Sequence, residues 1–390
     1  MLHSLRLVLA LVVLLPMTLR AQTTVSGTIR FGGVVRDYRL YVPQAYASST
    51  ATVPLLFNLH GYGSNKEEQE LYGDFRAIAD TANFLVVHPN GTLDPAGNRY
   101  WNTFTPPGTG GPDDVAFLSA LIDSLRLRYR IDANRVYSTG MSNGGFMSYE
   151  LACQLSNRVA AIASVAGSMT TSRLAVCNAT RPVPVLEIHG TADNTVPYTG
   201  NILFVPIPTL VAAWVQRNGC NPTPTLTQVP DLTATDGSTA ERQVYSGSQP
   251  GSVVEHYRII GGGHTWPGAP VDIGVTNRDI HASREIWRFL RPYRLNQLTP
   301  LPTRTAATAV GLRLVPNPAT RWVQVQSAQP IRPGSVRVYD TTGRQVAIQP
   351  QVTGATSVQL NTAGWPAGVY LVEVETGEQL VHQRLLKQME

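Results

Sequence analysis

A serine between two glycines places the strongest constraint on how this chain of 390 residues can fold. The run Gly-Met-Ser-Asn-Gly at residues 140–144 follows an apolar stretch, residues 136–139, and precedes a helix-compatible stretch, residues 145–152. A G-x-S-x-G pattern in this position predicts a sharp strand-to-helix turn, where a Cβ on either glycine would crowd the neighbouring strand and helix. The pattern predicts that Ser142 presents its hydroxyl at the end of a buried strand, as a nucleophile would.

Two later loops offer the partners that such a serine needs. A hydroxyl is a weak nucleophile until a base takes its proton and a third group orients that base. Asp193 follows an apolar strand at residues 183–188, and His264 follows an alternating strand at residues 253–260. We therefore expect a catalytic triad of Ser142, Asp193 as the orienting acid and His264 as the general base. Their order along the chain is that of α/β-hydrolases.

An oxyanion hole is the third requirement, because negative charge develops on the carbonyl oxygen during acyl transfer. One backbone amide is expected from the residue after the nucleophile, Asn143, and another from the loop after an earlier strand. The apolar run at residues 55–59 ends in His-Gly-Tyr-Gly. This loop predicts Tyr62 as the second donor, with Gly61 as the alternative.

The remaining histidines near strand ends have a simpler interpretation. His60 and His189 each end an apolar strand and precede a glycine, and His88 precedes a proline. A histidine in such a place more often supports the backbone through hydrogen bonds than takes part in catalysis. We therefore expect all three to be hydrogen-bonded supports.

Apolar runs alternate with helix-compatible segments between residues 22 and 295, a length that suits one well-buried domain. This alternation predicts an α/β fold with a doubly wound sheet, preceded by an early hairpin. The predicted buried strands are residues 55–60, 84–88, 135–139, 161–166 and 184–189. The predicted helices are residues 67–80, 114–129, 144–154, 206–218 and 279–290.

The two ends of the chain differ from this central domain. Residues 1–21 have a basic start and a short apolar stretch, the pattern of a secretory signal peptide. Residues 296–309 are rich in Pro, Thr and Ala and predict a linker. Residues 310–390 alternate apolar and polar positions between turn signals, which predicts a small all-β sandwich.

The composition argues against two classes of partner. Charged residues make up 15% of the chain and form no Lys/Arg cluster, so no nucleic-acid binding is expected. Beyond the signal peptide no apolar run is long enough to span a bilayer, so no transmembrane segment is expected either. No cofactor and no metal ion are expected.

Four ordered motifs resemble the polyhydroxybutyrate depolymerase and feruloyl esterase group, which includes carbohydrate esterase family 1. The resemblance covers residues 25–292 and rests on four sequence motifs: Gly-Met-Ser-Asn-Gly-Gly at 140–145, His-Gly-Thr-Ala-Asp with Val-Pro-Tyr at 189–198, Asn-Gly-Cys at 218–220 and Gly-Gly-Gly-His-Thr-Trp-Pro-Gly at 261–268. It implies an α/β-hydrolase that cleaves carboxylic esters through an acyl-enzyme, and Ser142, Asp193 and His264 match the group's triad.

The segment at residues 310–390 resembles the C-terminal sorting domain of the type IX secretion system. The likeness rests on Leu-Val-Pro-Asn-Pro at 314–318, Val-Tyr-Asp-Thr-Thr-Gly at 338–343 and Pro-Ala-Gly-Val-Tyr at 366–370. It implies export by that machinery across the outer membrane. We therefore expect an extracellular or surface-attached protein. The alternative for this segment is a generic carbohydrate-binding or spacer sandwich.

The chain has three cysteines, an odd number for an exported protein. The resemblance implies a disulfide between Cys153 and Cys177, a pairing known in the group. The group's other pairing joins the Cys of Asn-Gly-Cys to a second cysteine, but this chain has Ser248 in the corresponding place. Cys220 is therefore expected to remain a free thiol.

Two tryptophans, Trp101 and Trp266, are expected to line the cleft and stack against a planar or sugar-like group of the substrate.

The predicted function is that of a secreted carboxylic-ester hydrolase acting on feruloyl or acetyl esters of plant polysaccharide. A polyester depolymerase is the alternative. A peptidase and a catalytically inactive surface binder on the same fold are further alternatives.

Overall fold

The computed structural model describes residues 23–105, 110–298, 312–340, 344–376 and 379–388. The chain divides between Pro300 and Leu301 into two units. The predicted signal peptide at residues 1–21 and most of the predicted linker at residues 296–309 lie outside the described residues. Each unit is described by itself below.

The first unit has twelve strands and nine helices in its described part. Its strands are β1 (Thr23–Phe31), β2 (Val34–Val42), β3 (Val53–Leu59), β4 (Leu85–Pro89), β5 (Thr92–Leu93), β6 (Arg99–Tyr100), β7 (Ile131–Met141), β8 (Ala161–Val165), β9 (Val185–Gly190), β10 (Thr225–Gln228), β11 (Thr239–Ser246) and β12 (Val253–Ile260). Its helices are α1 (Gln44–Ala47), α2 (Lys66–Tyr72), α3 (Arg76–Ala82), α4 (Asp114–Arg126), α5 (Asn143–Gln154), α6 (Thr171–Ala175), α7 (Ile207–Arg217), α8 (Ala282–Leu290) and α9 (Leu295–Leu298).

Ten of these strands form one sheet in the order β1-β2-β4-β3-β7-β8-β9-β12-β11-β10. The six central strands, β4 to β12 in this order, are parallel, and antiparallel pairs extend both edges. Residues in the parallel strands are buried almost without interruption, because helices cover both faces of such a sheet. The predicted doubly wound α/β fold is confirmed.

Two apolar cores lie on the two faces of the sheet. One core contains side chains of α4, α5 and α7, including Phe117, Met147 and Trp214. The other contains side chains of α3 and α8, including Ala79 and Trp287. The carboxyl ends of β3, β7 and β9 therefore meet along one edge of a sheet that is supported from both sides, the position where ligands bind in folds of this type.

The helix predicted at residues 67–80 is wrong, because the chain breaks at Gly73 into α2 and α3. The Gly73 N–H donates to the Gln69 carbonyl and closes the first helix. Asp74 then accepts a hydrogen bond from the Arg76 N–H, at 2.8 Å, as the second helix begins. An Asp side chain that bonds the backbone two residues on favours a turn over a continuous helix.

The second unit consists of two antiparallel sheets in its described part. One has the order β13-β14-β17-β16 and the other β15-β18-β19. Its strands are β13 (Arg313–Val315), β14 (Trp322–Gln326), β15 (Arg337–Tyr339), β16 (Gln351–Gly354), β17 (Ser357–Asn361), β18 (Gly368–Thr376) and β19 (Gln379–Lys387). Val323 and Val325 of the first sheet share one apolar core with Val338, Val372 and Leu385 of the second. The predicted all-β region is confirmed, and the predicted turn at residues 342–343 lies outside the described residues.

No helix in the described ranges is both long enough and apolar enough to cross a membrane.

A disulfide joins Cys153, near the end of α5, to Cys177, just beyond α6, with a Cα–Cα distance of 4.9 Å. Cys220 is a free, half-buried cysteine. The expected pairing is confirmed. The bridge closes a sequence separation of 24 residues next to the helix that starts at the candidate nucleophile.

We expect the double substitution Cys153→Ala with Cys177→Ala to lower the free energy of unfolding by about 3 kcal/mol, since the open chain regains the loop entropy that the bridge removes. Urea denaturation of the oxidised protein measures the loss. Cys220→Ala is the matched control and should change stability by less than about 1 kcal/mol. Equal losses for both variants would contradict the stabilising role of the bridge.

Candidate active site

Ser142 lies on a strained turn between β7 and α5. Its backbone angles are φ 52° and ψ −118°, in a region that non-glycine residues rarely occupy. A Cβ on Gly140 would lie 2.6 Å from the Leu59 carbonyl oxygen, and a Cβ on Gly144 would lie 2.1 Å from the same atom. Both glycines are therefore required for the turn to pack against β3, as the sequence predicts.

The loop after β9 holds the Asp193 carboxylate, and the loop after β12 holds the His264 ring. The two loops are joined by a hydrogen bond from the Ala192 N–H to the Gly262 carbonyl, at 2.9 Å. A Cβ on Gly190 would lie 2.2 Å from that same carbonyl oxygen. Small residues on both loops therefore allow the contact that brings Asp193 to His264.

Asp193 is surrounded by hydrogen-bond donors. Its Oδ1 accepts the backbone N–H groups of Thr195 and Val196, both at 2.8 Å. Its Oδ2 lies 2.7 Å from His264 Nδ1 and 3.3 Å from His189 Nε2. Burial opposes ionisation of Asp193, but the hydrogen bonds from the two histidines outweigh it and hold the pKa of this carboxyl well below its usual range. Asp193 is therefore ionised at neutral pH and can orient the His264 ring.

The loop after β3 lies beside the nucleophile turn. A Cβ on Gly61 would lie 3.5 Å from Ser142 Cβ. The next amides along this loop are used elsewhere, since Gly63 donates to the Arg99 carbonyl and Ser64 to the Gly61 carbonyl. Asn143 is the first residue of α5, so its N–H has no carbonyl one turn earlier in the helix. The predicted donors Tyr62, Asn143 and the alternative Gly61 thus flank Ser142.

The expectation that Trp101 and Trp266 stack against substrate is wrong, because neither ring has any exposed surface. Trp101 Nε1 donates to the His60 carbonyl at 3.0 Å, and the Trp101 N–H donates to Asn143 Oδ1 at 2.7 Å. Trp266 Nε1 donates to Ser283 Oγ at 3.2 Å. The indole nitrogens satisfy their donors inside the protein, which favours burial of the whole ring.

These contacts give Trp101 a structural role at the site. It bonds both the β3 loop, through the His60 carbonyl, and the start of α5, through the Asn143 side chain. Asn143 Nδ2 returns hydrogen bonds to the Trp101 carbonyl and to Thr103 Oγ1, both at 3.1 Å. Trp101 therefore fixes the relative position of the two loops that carry the candidate oxyanion donors.

Ser142 and His264 line one open cavity of about 450 Å³. Its described walls also include Gly61, Tyr62, Ser64, Glu68, Gln69, Leu71, Tyr72, Met141, Pro270, Val271 and Ile273. Leu71, Val271 and Ile273 are each more than half exposed. The described lining residues include Glu68 but no Lys or Arg, so the cavity does not favour an anionic group, and its aliphatic side chains suit a partly apolar one.

Sequence reasoning missed the side chains that form this cavity. The signal in the sequence is a pair of aliphatic residues, Val271 and Ile273, in the polar loop just after His264. Tyr62 contributes more than its backbone amide, since the residue lines the cavity and its hydroxyl donates to Asp94 Oδ2 at 2.6 Å. Exposed apolar side chains of this kind indicate a binding surface once their neighbours are known.

The supporting histidines agree with expectation in two of three cases. His60 accepts the Gly91 N–H at Nε2 and donates from Nδ1 to the Gly61 carbonyl, and burial lowers the pKa of His60 to about 4. His189 is hydrogen-bonded at both nitrogens. His88 contradicts the prediction, because neither of its ring nitrogens has a partner among the described residues. Burial lowers the pKa of His88 to about 3, so the ring is neutral.

Two parts of the chain match known families. Residues 36–186 match the family described as Esterase PHB depolymerase, and residues 313–388 match the family described as Secretion system C-terminal sorting domain. A protein of Nocardia uniformis subsp. tsuyamanensis, named Putative esterase NocK, is 30% identical to this chain. The alignment covers 69% of this chain and 83% of that protein.

Two further relatives and one solved structure are similar to this chain. Feruloyl esterase C of Emericella nidulans is 29% identical over 65% of this chain and 83% of its own length. Poly(3-hydroxyalkanoate) depolymerase C of Paucimonas lemoignei is 28% identical, and the alignment covers 58% of this chain and 57% of that protein. Among solved structures, an acetyl xylan esterase from Aspergillus awamori superposes with a TM-score of 0.48 at 15% identity, over 66% of this chain and 94% of that one.

We expect the low pKa of Asp193 to make part of the stability depend on pH. A carboxyl whose pKa is lower in the folded than in the unfolded state stabilises the fold above about pH 4, and this contribution is lost as the pH falls toward the folded pKa. Asp193→Asn removes the group, so it should cost roughly 1–3 kcal/mol at pH 7 and progressively less below pH 4. Urea unfolding of both proteins between pH 7 and pH 3 measures the difference, and a constant difference would contradict the assignment.

Proposed function

The chain belongs to the esterase PHB depolymerase family, and on that premise we propose that it is an exported serine esterase with Ser142, His264 and Asp193 as its catalytic triad. Its membership of this family identifies the chain as an ester hydrolase. The proposed triad rests on the 2.7 Å contact between His264 Nδ1 and Asp193 Oδ2. His264 also lines the same open cavity as Ser142.

The proposed reaction proceeds through an acyl-enzyme. Ser142 Oγ attacks the ester carbonyl carbon while His264 Nε2 takes the hydroxyl proton. Asp193 holds the His264 Nδ1–H and stabilises the imidazolium that forms. The C–O bond to the alcohol then breaks, and His264 returns the proton to the leaving oxygen. Water repeats the sequence on the acyl-enzyme, which releases the acid and restores the serine.

Backbone amides are proposed to stabilise the tetrahedral oxyanion. The Asn143 N–H lies at the start of α5, where the helix dipole also favours negative charge. The second donor is the amide of Tyr62 or of Gly61, on the loop that approaches Ser142 Cβ. The buried Trp101 supports this arrangement, since its hydrogen bonds hold both donor segments in place.

The proposed substrate is a feruloyl or acetyl ester of plant polysaccharide. The cavity of about 450 Å³ is large enough for a planar phenolic acyl group. The Tyr62 ring forms one wall, and the aliphatic side chains of Leu71, Val271 and Ile273 are available at the rim. The name of one relative, feruloyl esterase C, supports the same class of substrate.

A polyester substrate is the second candidate, favoured by one observation. Leu71, Val271 and Ile273 are 56%, 60% and 62% exposed, which is more apolar surface than a small soluble ester requires. Such a rim suits contact with the surface of a solid polymer. A relative named as a poly(3-hydroxyalkanoate) depolymerase supports this candidate.

Export is proposed to depend on the second unit. Residues 313–388 match a sorting domain of a secretion system, and this unit contributes none of the described residues that line the cavity. The type IX machinery is the proposed partner, and an extracellular or cell-surface location is the proposed destination. Esterified polysaccharide and polyester are both found outside the cell, where such a location would place the enzyme.

We expect Ser142→Ala to lower turnover of p-nitrophenyl acetate by at least about 10⁴-fold, because only the oxygen that accepts the acyl group is removed. The fold should be retained, since Ser142 lines the open cavity and the substitution removes only its hydroxyl. Ser168→Ala is the matched control, because Ser168 also follows a strand but donates inward to the Val205 carbonyl. Substantial residual activity in Ser142→Ala would remove the triad from the proposal.

We expect the double substitution Val271→Ser with Ile273→Ser to reduce kcat/KM on the natural substrate by about 10-fold, by loss of apolar contact. The effect on p-nitrophenyl acetate should be less than about 3-fold, because its acyl group is too small to reach the rim. Leu127→Ser is the control, since Leu127 is 88% exposed and does not line the cavity.

Parallel assays on a feruloylated oligosaccharide and on a polyhydroxybutyrate film separate the two candidate substrates. Loss confined to the soluble feruloyl ester supports the polysaccharide esterase, and loss confined to erosion of the film supports the polyester depolymerase. Equal loss on p-nitrophenyl acetate would show that the two side chains position His264 instead of binding substrate.

A further inference from the structure

A row of four ionisable side chains extends inward from the cavity. His264 contacts Asp193, Asp193 contacts His189, and His189 Nδ1 lies 2.9 Å from Glu187 Oε1. The side chains of Glu187, His189 and Asp193 are fully buried. Resting on the proposed function, we propose that Glu187 and His189 are positioning residues that hold Asp193 against the general base and set the charge that Asp193 presents to it.

The hydrogen bonds of His189 determine where its protons lie. Its Nε2 is 2.8 Å from the Val196 carbonyl oxygen, which can only accept, so Nε2 carries a proton. The same proton faces Asp193 Oδ2 at 3.3 Å. Nδ1 faces the Glu187 carboxylate, which takes a further hydrogen bond from the Tyr149 hydroxyl at 2.8 Å. Both ends of the imidazole are therefore fixed by acceptors.

These bonds tie the Asp193 loop to the sheet. The Val196 N–H donates to Asp193 Oδ1, while the Val196 carbonyl accepts from His189. His189 belongs to β9, a central strand of the sheet. The two bonds at Val196 hold the loop in the one position that leaves Oδ2 directed at His264. Without His189, only backbone N–H groups on Oδ1 would orient the carboxylate.

His189 is proposed to act on Asp193 and His264 through its charge as well as through its hydrogen bonds. Burial opposes protonation, but the hydrogen bonds from its nitrogens to Asp193 and Glu187 outweigh it and raise the pKa of His189 to about 9. The ring is therefore an imidazolium at neutral pH, with its positive charge between two carboxylates. It partly offsets the field of Asp193 at His264, and Glu187 is the group besides Asp193 that favours the charged ring.

The other polar groups packed around His189 do not change this arrangement of charges. The Tyr198 ring lies 6.1 Å away and bonds His256 Nε2 through its hydroxyl, at 3.0 Å. Burial lowers the pKa of His256 to about 4, so that ring is neutral. The Arg258 guanidinium lies over the Tyr198 ring, 5.9 Å from the ring centre. Tyr149 contacts Glu187. Among the described residues, the carboxylates that contact His189 are Glu187 and Asp193.

A role limited to core packing would leave the pH dependence of catalysis unchanged, and this separates the two interpretations. Glu187→Gln keeps the shape of the side chain but removes one of the two carboxylates that favour a protonated His189. His189 then carries less positive charge, so the field of Asp193 on the base is offset less and the base keeps its proton to higher pH. The acidic limb of the kcat/KM profile should then move up by about 0.5–1 pH unit.

The test uses the full chain with p-nitrophenyl acetate. His189→Gln should lower kcat by on the order of 10²-fold through misplacement of Asp193, with KM changed less than about 2-fold, because His189 does not line the cavity. His256→Gln is the matched control, since His256 is equally buried in the neighbouring strand and its ring is hydrogen-bonded to the Glu187 carbonyl and Tyr198. It should leave kcat within about 3-fold and the pH profile unchanged.

The outcomes are distinguishable. An unshifted acidic limb in Glu187→Gln, or an equal loss of kcat in His256→Gln, overturns the positioning role. If His189→Gln fails to fold, Tyr149→Phe, which removes only the hydroxyl bond to Glu187, replaces it and should shift the same limb in the same direction by a smaller amount. Full activity of Ser142→Ala would instead overturn the proposed function itself, whatever the Glu187 and His189 variants do.

Discussion

The contact of Gly140 and Gly144 with the Leu59 carbonyl is the constraint on which the site depends. A side chain at either position would lie within about 2.6 Å of that oxygen, so β7 and α5 could no longer pack beside β3. The contact brings the strained Ser142 turn next to the loop that begins at His60. A second glycine contact, Gly190 with the Gly262 carbonyl, does the same for the loops of Asp193 and His264. Close backbone packing at two points thus assembles four loops from distant parts of the chain.

The charges of the site are supported from within the sheet. Asp193 has two backbone N–H groups on one oxygen and two histidines on the other, so its desolvation is compensated by four donors. The cavity side differs, since Ser142 and His264 face open space. Polar groups that must stay fixed are buried, and those that must exchange protons with a substrate are accessible. This division favours a general base that is oriented before substrate binds.

Much of this arrangement could be predicted from the sequence, because buried parallel strands appear as apolar runs and their ends carry the functional loops. The elbow, the positions of Asp193 and His264, and five strands follow from such patterns. The direction of a loop side chain does not. Trp101 and Trp266 lie in loops beside the site, as expected, yet their rings turn inward because Nε1 finds acceptors there. The break at Gly73 follows from a local turn that Asp74 stabilises. The lack of a partner for the His88 ring nitrogens among the described residues depends instead on tertiary packing, which no local pattern contains.

Because the rings of Trp101 and Trp266 point inward, the substrate specificity of this site depends on other side chains. A buried Trp101 stabilises the backbone of both oxyanion segments, so substitution there would disturb chemistry on every ester alike. Under the proposed function, recognition is left to aliphatic side chains that line the cavity, Leu71, Val271 and Ile273. Because these residues lie on a helix and a loop outside the triad, they can vary in size and polarity without moving Ser142 or His264. The proposed function thus places catalysis and substrate choice on separate parts of one cavity wall, which is consistent with relatives that carry the names of different esterases.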